Sequence, residues 1–428
     1  MKSTFKSLIV SLLIFEARIL LKRHKPTIVA ITGSVGKTTT KDAIFAAIKN
    51  NVHARKSEKS FNSEIGVPLT VLGLPNAWSN PFLWIKNLID GLFTALFSSE
   101  YPKVLILETG IDRPGDMDKL TSWIKPDMVV LTRLPSVPVH VEFFSTPEAV
   151  CEEKMKLVSA MKPDGVLVYN HDDTIIQAQL DAVLQRSIGF SRYLKSQFTG
   201  AGDRVIYKDN TPVGVEFSIA NHEGTASVRL YGTVGTQHVY ACAAAVAVAA
   251  ELGVSLTDSA QSLSELRTPN GRMRLIPGIK ATTIIDDTYN SSPIASDQAL
   301  QSLNEIKYAK RKIAVLGDML ELGRFSSEEH HKLGTKVPPV AKLLITVGVR
   351  SRNIAEGAMA AGMSETNILQ YDDALRAGKE LQNIIQPGDV LLIKASQGIR
   401  AERIVEEIML DPTASKELLV RQDSAWLR

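Results

Sequence analysis

Residues 27–41 read TIVAITGSVGKTTTK. Thr27-Ile28-Val29-Ala30-Ile31 is a β-branched run, the pattern of a buried strand. Gly33-Ser34-Val35-Gly36 breaks it. From Thr38 to Lys49 the spacing turns helical, with Ile44 and Ile48 on one face. Strand, glycine loop, Lys-Thr and helix is the order of a phosphate-binding loop. Glycines let backbone N–H groups approach phosphate oxygens closely, and the helix N-terminus adds positive dipole. Lys37 would reach the β- and γ-phosphates of a nucleotide, and the Thr38 hydroxyl would ligate Mg²⁺. Ile31 stands where the usual pattern has its first glycine, so the loop is the variant TGxxGKT. Gly33, Ser34, Val35, Gly36, Lys37, Thr38 and Thr39 are therefore the expected nucleotide contacts.

At 428 residues the chain has room for two or three domains. With 44% apolar and 22% charged residues it has the balance of a soluble globular protein. Lys and Arg number 49 against 46 Asp and Glu, so the net charge of +3 gives no reason to invoke nucleic acid. Cys151 and Cys242 are the only cysteines, which excludes a disulfide framework or a cysteine-built zinc cluster and suits a reducing cytosol. No internal repeat or low-complexity tract interrupts the chain.

Two apolar segments stand apart. Ser7 to Leu21, SLIVSLLIFEARILL, has 15 residues and carries Glu16 and Arg18, too short and too charged for a comfortable membrane span. No small-residue cleavage site follows it, which argues against a signal peptide. Ser7, Ser11, Arg18 and Lys22 fall on one helical stripe, and Lys2, Lys6, Lys22, Arg23 and Lys25 flank the segment. Pro81 to Phe97, PFLWIKNLIDGLFTALF, has only Lys86 and Asp90 as charges, and Trp78, Phe82, Trp84, Phe93 and Phe97 cluster in and beside it. Each segment reads as an interfacial membrane helix; the alternative for the first is a helix packed on the protein itself or on a partner subunit, and for the second a buried helix. The expectation is a cytoplasmic protein with peripheral contact, to the inner face of the membrane or to a partner protein, through residues 1–25 and 78–98.

Further along, Lys103 to Leu107 reads as a strand ending in Glu108-Thr109-Gly110, and a carboxylate there is well placed to hold Mg²⁺. Asp127 to Thr132 and Gly165 to Tyr169 are further strands, and Cys151 to Met161 reads as a helix carrying Lys154 and Lys156. From Ser191 to Leu230 the pattern is short and alternating, as in a small antiparallel excursion. Val239 to Leu252 is a small-residue helix. Past Pro269-Asn270-Gly271-Arg272 the α/β rhythm restarts, with strands at Thr283–Ile285, Lys312–Leu316, Leu343–Val347 and Val390–Ile393. Such alternation predicts a mostly parallel sheet. Polar turns follow its strands at Asp286–Asn290, Gly317–Met319 and Lys394–Ser396, the ends where ligands bind in such sheets.

The order of motifs resembles the Mur ligases, ATP-dependent amide ligases of peptidoglycan precursor synthesis. The stretches that carry it are ITGSVGKTTTK, FNSEIGVPLTVL, LETGIDRPGDMDKL, VHVEFFSTPEAVCEEKMKLV, IIDDTYNSSPIASDQAL, KIAVLGDMLELG and DVLLIKASQGIR, in family order from about Ile28 to Arg400. DDTYNSSP and AVLGDMLELG resemble the branch that joins D-alanyl-D-alanine (D-Ala-D-Ala) to a UDP-N-acetylmuramoyl tripeptide. The resemblance implies an α/β fold, with a P-loop central ATPase domain on a mostly parallel sheet (26–275) and a C-terminal Rossmann-like α/β domain (276–428), behind an N-terminal apolar or amphipathic helix (1–25). It implies ATP and Mg²⁺ as cofactors and a UDP-muramyl peptide and D-Ala-D-Ala as substrates. Glu108 and His140 match the family's Mg²⁺ positions beside Thr38. Lys154 fits the lysine that becomes a carbamate with CO₂, Lys156 being the alternative. Lys37, Lys154 and His140 are then the expected catalytic residues. Arg272 and Asp287 match ATP contacts, toward phosphate and ribose, and Asn290 lies at the same cleft. The C-terminal domain is expected to close over ATP about a hinge near Gly271 to Ile276.

The chain also departs from the family pattern. The phosphate loop begins about thirty residues in, where the family has a UDP-sugar-binding domain first. Arg133 stands where the family often has Asn. Gln237-His238 replaces a His-Asn pair, Ala241 a later Asn, and Ala395 a glycine. Two other readings therefore stand beside the first: a Mur-type ligase with another acceptor, such as a different peptide or a polyglutamate chain, and a non-catalytic nucleotide-binding scaffold.

Overall fold

The computed structural model describes residues 3–58, 61–78, 80–423 and 426. Lys2, and residues 1 and 79 of the two apolar segments, lie outside the described residues. The first unit is built on β1 (Thr27–Thr32), β2 (Ala54–Lys56), β3 (Val104–Glu108), β4 (Met128–Leu131), β5 (Val166–Asn170), β6 (Arg186–Ser191), β7 (Phe198–Lys208), β8 (Thr211–Asn221) and β9 (Gly224–Tyr231). They form one nine-stranded sheet in the order β2-β3-β1-β4-β5-β6-β7-β8-β9. Pairing is parallel as far as β7, and β7, β8 and β9 are antiparallel. The segment expected as a small excursion is thus an extension of the main sheet.

Alternation along the strands sends side chains to two cores. Val29 and Ile31 pack under α2 (Lys37–Ile48), α8 (Gln237–Glu251) and α9 (Leu256–Leu263). On the other face Ile28 meets α1 (Ser3–His24), α3 (Gly66–Leu72) and α4 (Pro81–Phe97), while Ala30 meets α6 (Pro147–Ser159). Between these lie the short α5 (Asp116–Thr121) and α7 (Thr174–Gln177). The α6 helix starts earlier than its apolar spacing suggests, because the Thr146 hydroxyl accepts from Ala149 N–H at 3.3 Å and Pro147 supplies a preset first turn.

The second sheet joins β10 (Arg274–Gly278), β11 (Thr282–Asp287), β12 (Arg311–Gly317), β13 (Leu343–Val347), β14 (Ile368–Tyr371) and β15 (Asp389–Lys394) in the order β10-β11-β15-β12-β13-β14. It is parallel except for β10, an antiparallel edge strand that tolerates Pro277 because an edge can spare a donor. Helices α10 (Pro293–Asn304), α11 (Ser326–Thr335) and α12 (Arg352–Ala360) cover one face, and α13 (Ala374–Ile384) and α14 (Glu402–Ile408) the other. The chain is thus α/β, with a large mostly parallel sheet followed by a second one.

Among the described residues no helix is long and apolar enough to cross a membrane. Ile9, Leu13, Ala17 and Leu20 of α1 are buried on the protein, whereas Leu8, Leu12 and Phe15 are exposed. The α4 helix is not the buried helix that one reading expected: it buries Trp84, Asn87, Gly91 and Ala95 and exposes most of its other large apolar residues, among them Phe82, Ile89, Phe93 and Phe97. Glu16 of α1 is buried at this seam, and its Oε2 has no hydrogen-bond partner among the described residues. It packs so closely on α4 that a Cβ at Gly91 would stand 2.2 Å from that oxygen.

Burial raises the Glu16 pKa from 4.5 to about 7. The folded state therefore holds this proton more tightly than the unfolded chain. The associated stability is complete below the unfolded value and is lost as pH rises through about 7. Denaturant unfolding should show a loss of up to roughly 3 kcal/mol from this group between acid pH and pH 8. Glu16→Gln should flatten that profile and gain roughly 1–3 kcal/mol at pH 8; a profile unchanged in the variant would assign the titration elsewhere.

Candidate active site

β1 lies between β3 and β4, so the chain leaves it toward one side and returns on the other, and a crevice opens at its C-terminal end. The loop there runs through Gly33, at φ +140°, where a Cβ would stand 2.1 Å from Thr132 Oγ1 on the neighbouring strand. Only glycine lets the loop lie this close. Lys37 curls back and donates from Nζ to the Gly33 carbonyl at 2.8 Å. The Thr38 hydroxyl donates to Glu108 Oε1 at 3.1 Å, and Lys41 Nζ stands 3.7 Å from Oε2. Glu108 is buried, and its Oε2 accepts no hydrogen bond.

His140 enters the crevice from the segment after β4, in a left-handed conformation at φ 70°. Its Nδ1 lies 2.7 Å from Glu321 Oε2, an ion-pair approach off the line of a hydrogen bond, and its Nε2 lies 3.8 Å from Asp112 Oδ1. The imidazole nitrogen holds the Glu321 carboxyl below its ordinary range. Glu321 follows β12 and is itself left-handed at φ 63°, so a strained residue from each unit meets its counterpart across the cleft.

Lys154 projects from α6 into the same cleft and is 3% exposed. Burial, with the Lys37 ammonium as the next cause, lowers its pKa to about 7. Burial also lowers Lys37, against the pull of Glu108. Lys156 points the other way, because two helical residues span about 200°. Its Nζ pairs with Asp118 at 2.6 Å and Glu153 at 2.7 Å near the surface. The helix geometry thus removes Lys156 as the alternative.

The second sheet closes the opposite wall. Arg272 stacks its guanidinium 4.2 Å over the Tyr289 ring and keeps a buried Nε without a partner. Asn290 lines the cleft, and its carbonyl accepts from Lys394 Nζ at 2.9 Å. Asp287 does not line it: its carboxylate is buried against Lys394 Nζ at 2.6 Å and takes the Met273 N–H at 3.3 Å. Thr39 is likewise buried in α2, away from the lining. His238 is fully buried with Nε2 2.7 Å from Thr233 Oγ1, and burial drives its pKa down to about 4, so it is a neutral packing group outside the lining.

The cleft measures about 400 Å³, and it joins Gly33, Ser34, Val35, Gly36, Lys37, Thr38, Glu108, His140 and Lys154 with Arg272 and Asn290. Asn62, Asp112 and Glu321 are polar members of the same lining that the sequence reading did not pick out. Their signal was the motif around each, FNSEIG, LETGID and LGDMLELG, without a reason to prefer one residue. Both α2 and α10 begin at the cleft, so two helix N-termini and three cationic side chains favour a polyanionic ligand.

The comparisons with known proteins agree with this architecture. Residues 85–249 match the Mur ligase middle domain, and residues 271–397 the Mur ligase, glutamate ligase domain. A UDP-N-acetylmuramoyl-tripeptide–D-alanyl-D-alanine ligase of Bacillus subtilis is 30% identical over 390 residues, 90% of this chain and 76% of that protein. One of Mycobacterium leprae is 29% identical over 410 residues, covering 90% and 74%. The crystal structure of MurF ligase from Thermotoga maritima in complex with ADP superposes with a TM-score of 0.75 at 25% identity, covering 95% of this chain and 84% of that one. A glycine loop, buried lysines and a two-walled cleft on this fold, matched along most of the chain, lead to one conclusion: the chain belongs to the Mur ligases, the ATP-dependent amide ligases of peptidoglycan precursor synthesis.

Proposed function

We propose that this cleft binds Mg·ATP, phosphorylates the terminal carboxylate of a UDP-N-acetylmuramoyl tripeptide and joins it to the amine of D-Ala-D-Ala. The observation that carries the reading is the convergence of Lys37, Glu108 and Lys154 with Arg272 and Asn290 on one cleft. We read 26–275 as the ATP-binding unit and 276–428 as the unit that closes over it. The site works in the cytoplasm, with peripheral contact to a membrane or partner through residues 1–25 and 78–98.

The donor set fits Mg²⁺. Among the described residues no group of three or more His, Cys, Asp or Glu could hold a metal. Mg²⁺ needs only one or two carboxylates beside phosphates and water, and the orphaned Glu108 Oε2 with the Thr38 hydroxyl offers such a start. His140 and a carbamate on Lys154 would complete the protein's share. Bound there, Mg²⁺ supplies charge neutralisation on the transferring phosphoryl group. At a pKa of about 7 much of Lys154 is a neutral amine near neutral pH. Its nitrogen can attack CO₂, lose a proton and become an anionic carbamate, which removes the like-charge repulsion with Lys37.

The chemistry then follows from positioning and charge. A substrate carboxylate oxygen attacks the γ-phosphorus, the bond to the β-phosphate oxygen breaks, and ADP leaves. Lys37 and the loop N–H groups hold the β/γ-phosphates, and Arg272 neutralises charge from the other wall. The amine attacks the acyl phosphate carbonyl, and the tetrahedral intermediate expels phosphate as the amide forms and a proton departs. Asp287 enters this reading as the group that fixes the Lys394–Asn290 wall rather than as a ribose contact.

Phosphate release from Mg·ATP should require both the UDP-muramoyl tripeptide and D-Ala-D-Ala, with a pentapeptide product by mass spectrometry. Release that instead follows another peptide or a glutamate chain would reassign the acceptor, and no release with any amine while ATP binds would leave a scaffold. Lys37→Ala and Lys154→Ala should each lose roughly a hundredfold or more in kcat, and Lys156→Ala should stay within about twofold. Carbon-13 NMR with labelled CO₂ should give a carbamate signal that Lys154→Ala abolishes. Asp287→Ala strands the buried Lys394 charge and should cost about 3–5 kcal/mol in urea unfolding; lost nucleotide affinity at full stability would restore the ribose role.

A further inference from the structure

The α4 helix is inside out for a helix in water. Its inward stripe consists of Trp84, Asn87, Gly91 and Ala95. Its outward face carries Phe82 at 78% exposure, Ile89 at 62%, Phe93 at 65% and Phe97 at 64%. A surface helix of a globular protein normally does the reverse. Beyond the buried Trp84, the small residues Gly91 and Ala95 face the neighbouring helix while Phe82, Ile89, Phe93 and Phe97 stand outside, as in helices whose outer solvent is hydrocarbon. The only charges on α4, Lys86 and Asp90, neutralise one another at 2.5 Å.

The face continues onto α1. Glu16 touches Gly91, and Arg23 donates to the Ala95 and Leu96 carbonyls, so the two helices run side by side in the same direction. Leu12 and Phe15 are exposed on the α1 stripe beside those contacts. At the shared C-terminal end Lys22, Arg23 and Lys25 are exposed, and Lys103 joins them through the Thr27 N–H bond to its carbonyl. Glu100, three residues past α4, is an exposed acid at the same end. The apolar face thus ends in an excess of positive charge, complementary to anionic headgroups. Aromatic side chains stand at both ends of α4, Trp78 and Phe82 at one and Phe93 and Phe97 at the other.

Resting on the peripheral-contact reading above, we propose that the joint α1–α4 face seats the protein on the anionic surface of a lipid bilayer, with both helices lying in the plane of one leaflet. A bilayer suits a face of large apolar side chains spread along two helices, and among the described residues no helix is long and apolar enough to cross it.

The test is flotation of the full chain with vesicles of phosphatidylcholine alone and of equal parts phosphatidylglycerol and phosphatidylcholine. Binding should favour the anionic vesicles and weaken with salt. Lys22→Gln with Lys25→Gln should lower that binding roughly tenfold or more. Ile89→Asp with Phe93→Asp should abolish it at unchanged unfolding stability. Binding that survives the aspartate variant would overturn the proposal. A dimer seen by light scattering without vesicles and lost in that variant would also overturn it, leaving a second copy on the face and the broader contact reading intact. A monomer that floats with neither vesicle would overturn both. The ligase assay, run without vesicles, reports on the chemistry separately.

Discussion

Two lysines share one cleft, and the rest of the site answers that constraint. Lys37 and Lys154 disfavour each other's charge, and burial disfavours both. A cleft of this kind needs anions. Glu108 supplies one from the tip of β3, and the loop N–H groups with two helix N-termini prepare the space for phosphate. Emptied of a polyanion, the site holds its cations at a cost; filled, the same repulsion becomes binding energy. This is how a fixed protein can favour charge on a moving phosphoryl group without reorganising.

The same requirement explains why two sheets are needed. One crevice at the end of β1 supplies the loop, Glu108, His140 and Lys154. It supplies no cation from the opposite side, and Arg272 comes from the segment that enters the second sheet. The contact of His140 with Glu321 spans the two units, and the left-handed backbone at both residues marks where the approach is tight. Behind the wall, Lys394 ties Asp287 to the Asn290 carbonyl at 2.6 and 2.9 Å, so this rim of the cleft is braced by a buried ion pair. Breaking one partner of such a pair exposes the full desolvation cost of the other.

The α1–α4 pair follows different rules from the rest of the molecule. Elsewhere exposed large apolar residues stand singly, as at Leu184, Val349 and Leu410, and the cores between sheets and helices hold the rest. Here the seam takes a tryptophan, a glycine, an alanine, an asparagine and the Glu16 carboxyl group, and most of the other large apolar side chains of α4 face out. The Glu16 carboxylate is tolerated because its folded form holds a proton, which makes the seam sensitive to pH as well as to its surroundings.

The phosphate loop and the α/β alternation were legible in the chain alone, because glycine position, β-branched runs and helical spacing are local signals, whereas Lys154 was singled out only through the family resemblance. The sequence carried the family through motif order along most of the chain. It left β2, β6, β10 and β14 unseen, since short strands such as RSIGFS and RLIPG become strands only when a neighbour's edge is there to pair with them. Tertiary structure alone decided that Lys154 and not Lys156 faces the cleft, that Asp287 braces a lysine, and that Glu321 meets His140. It alone turned the apolar side of α4 outward. The physical reason is the same in each case: a side chain's role depends on what stands opposite it, and opposition across a cleft or a helix seam is a property of packing, not of neighbours in the chain.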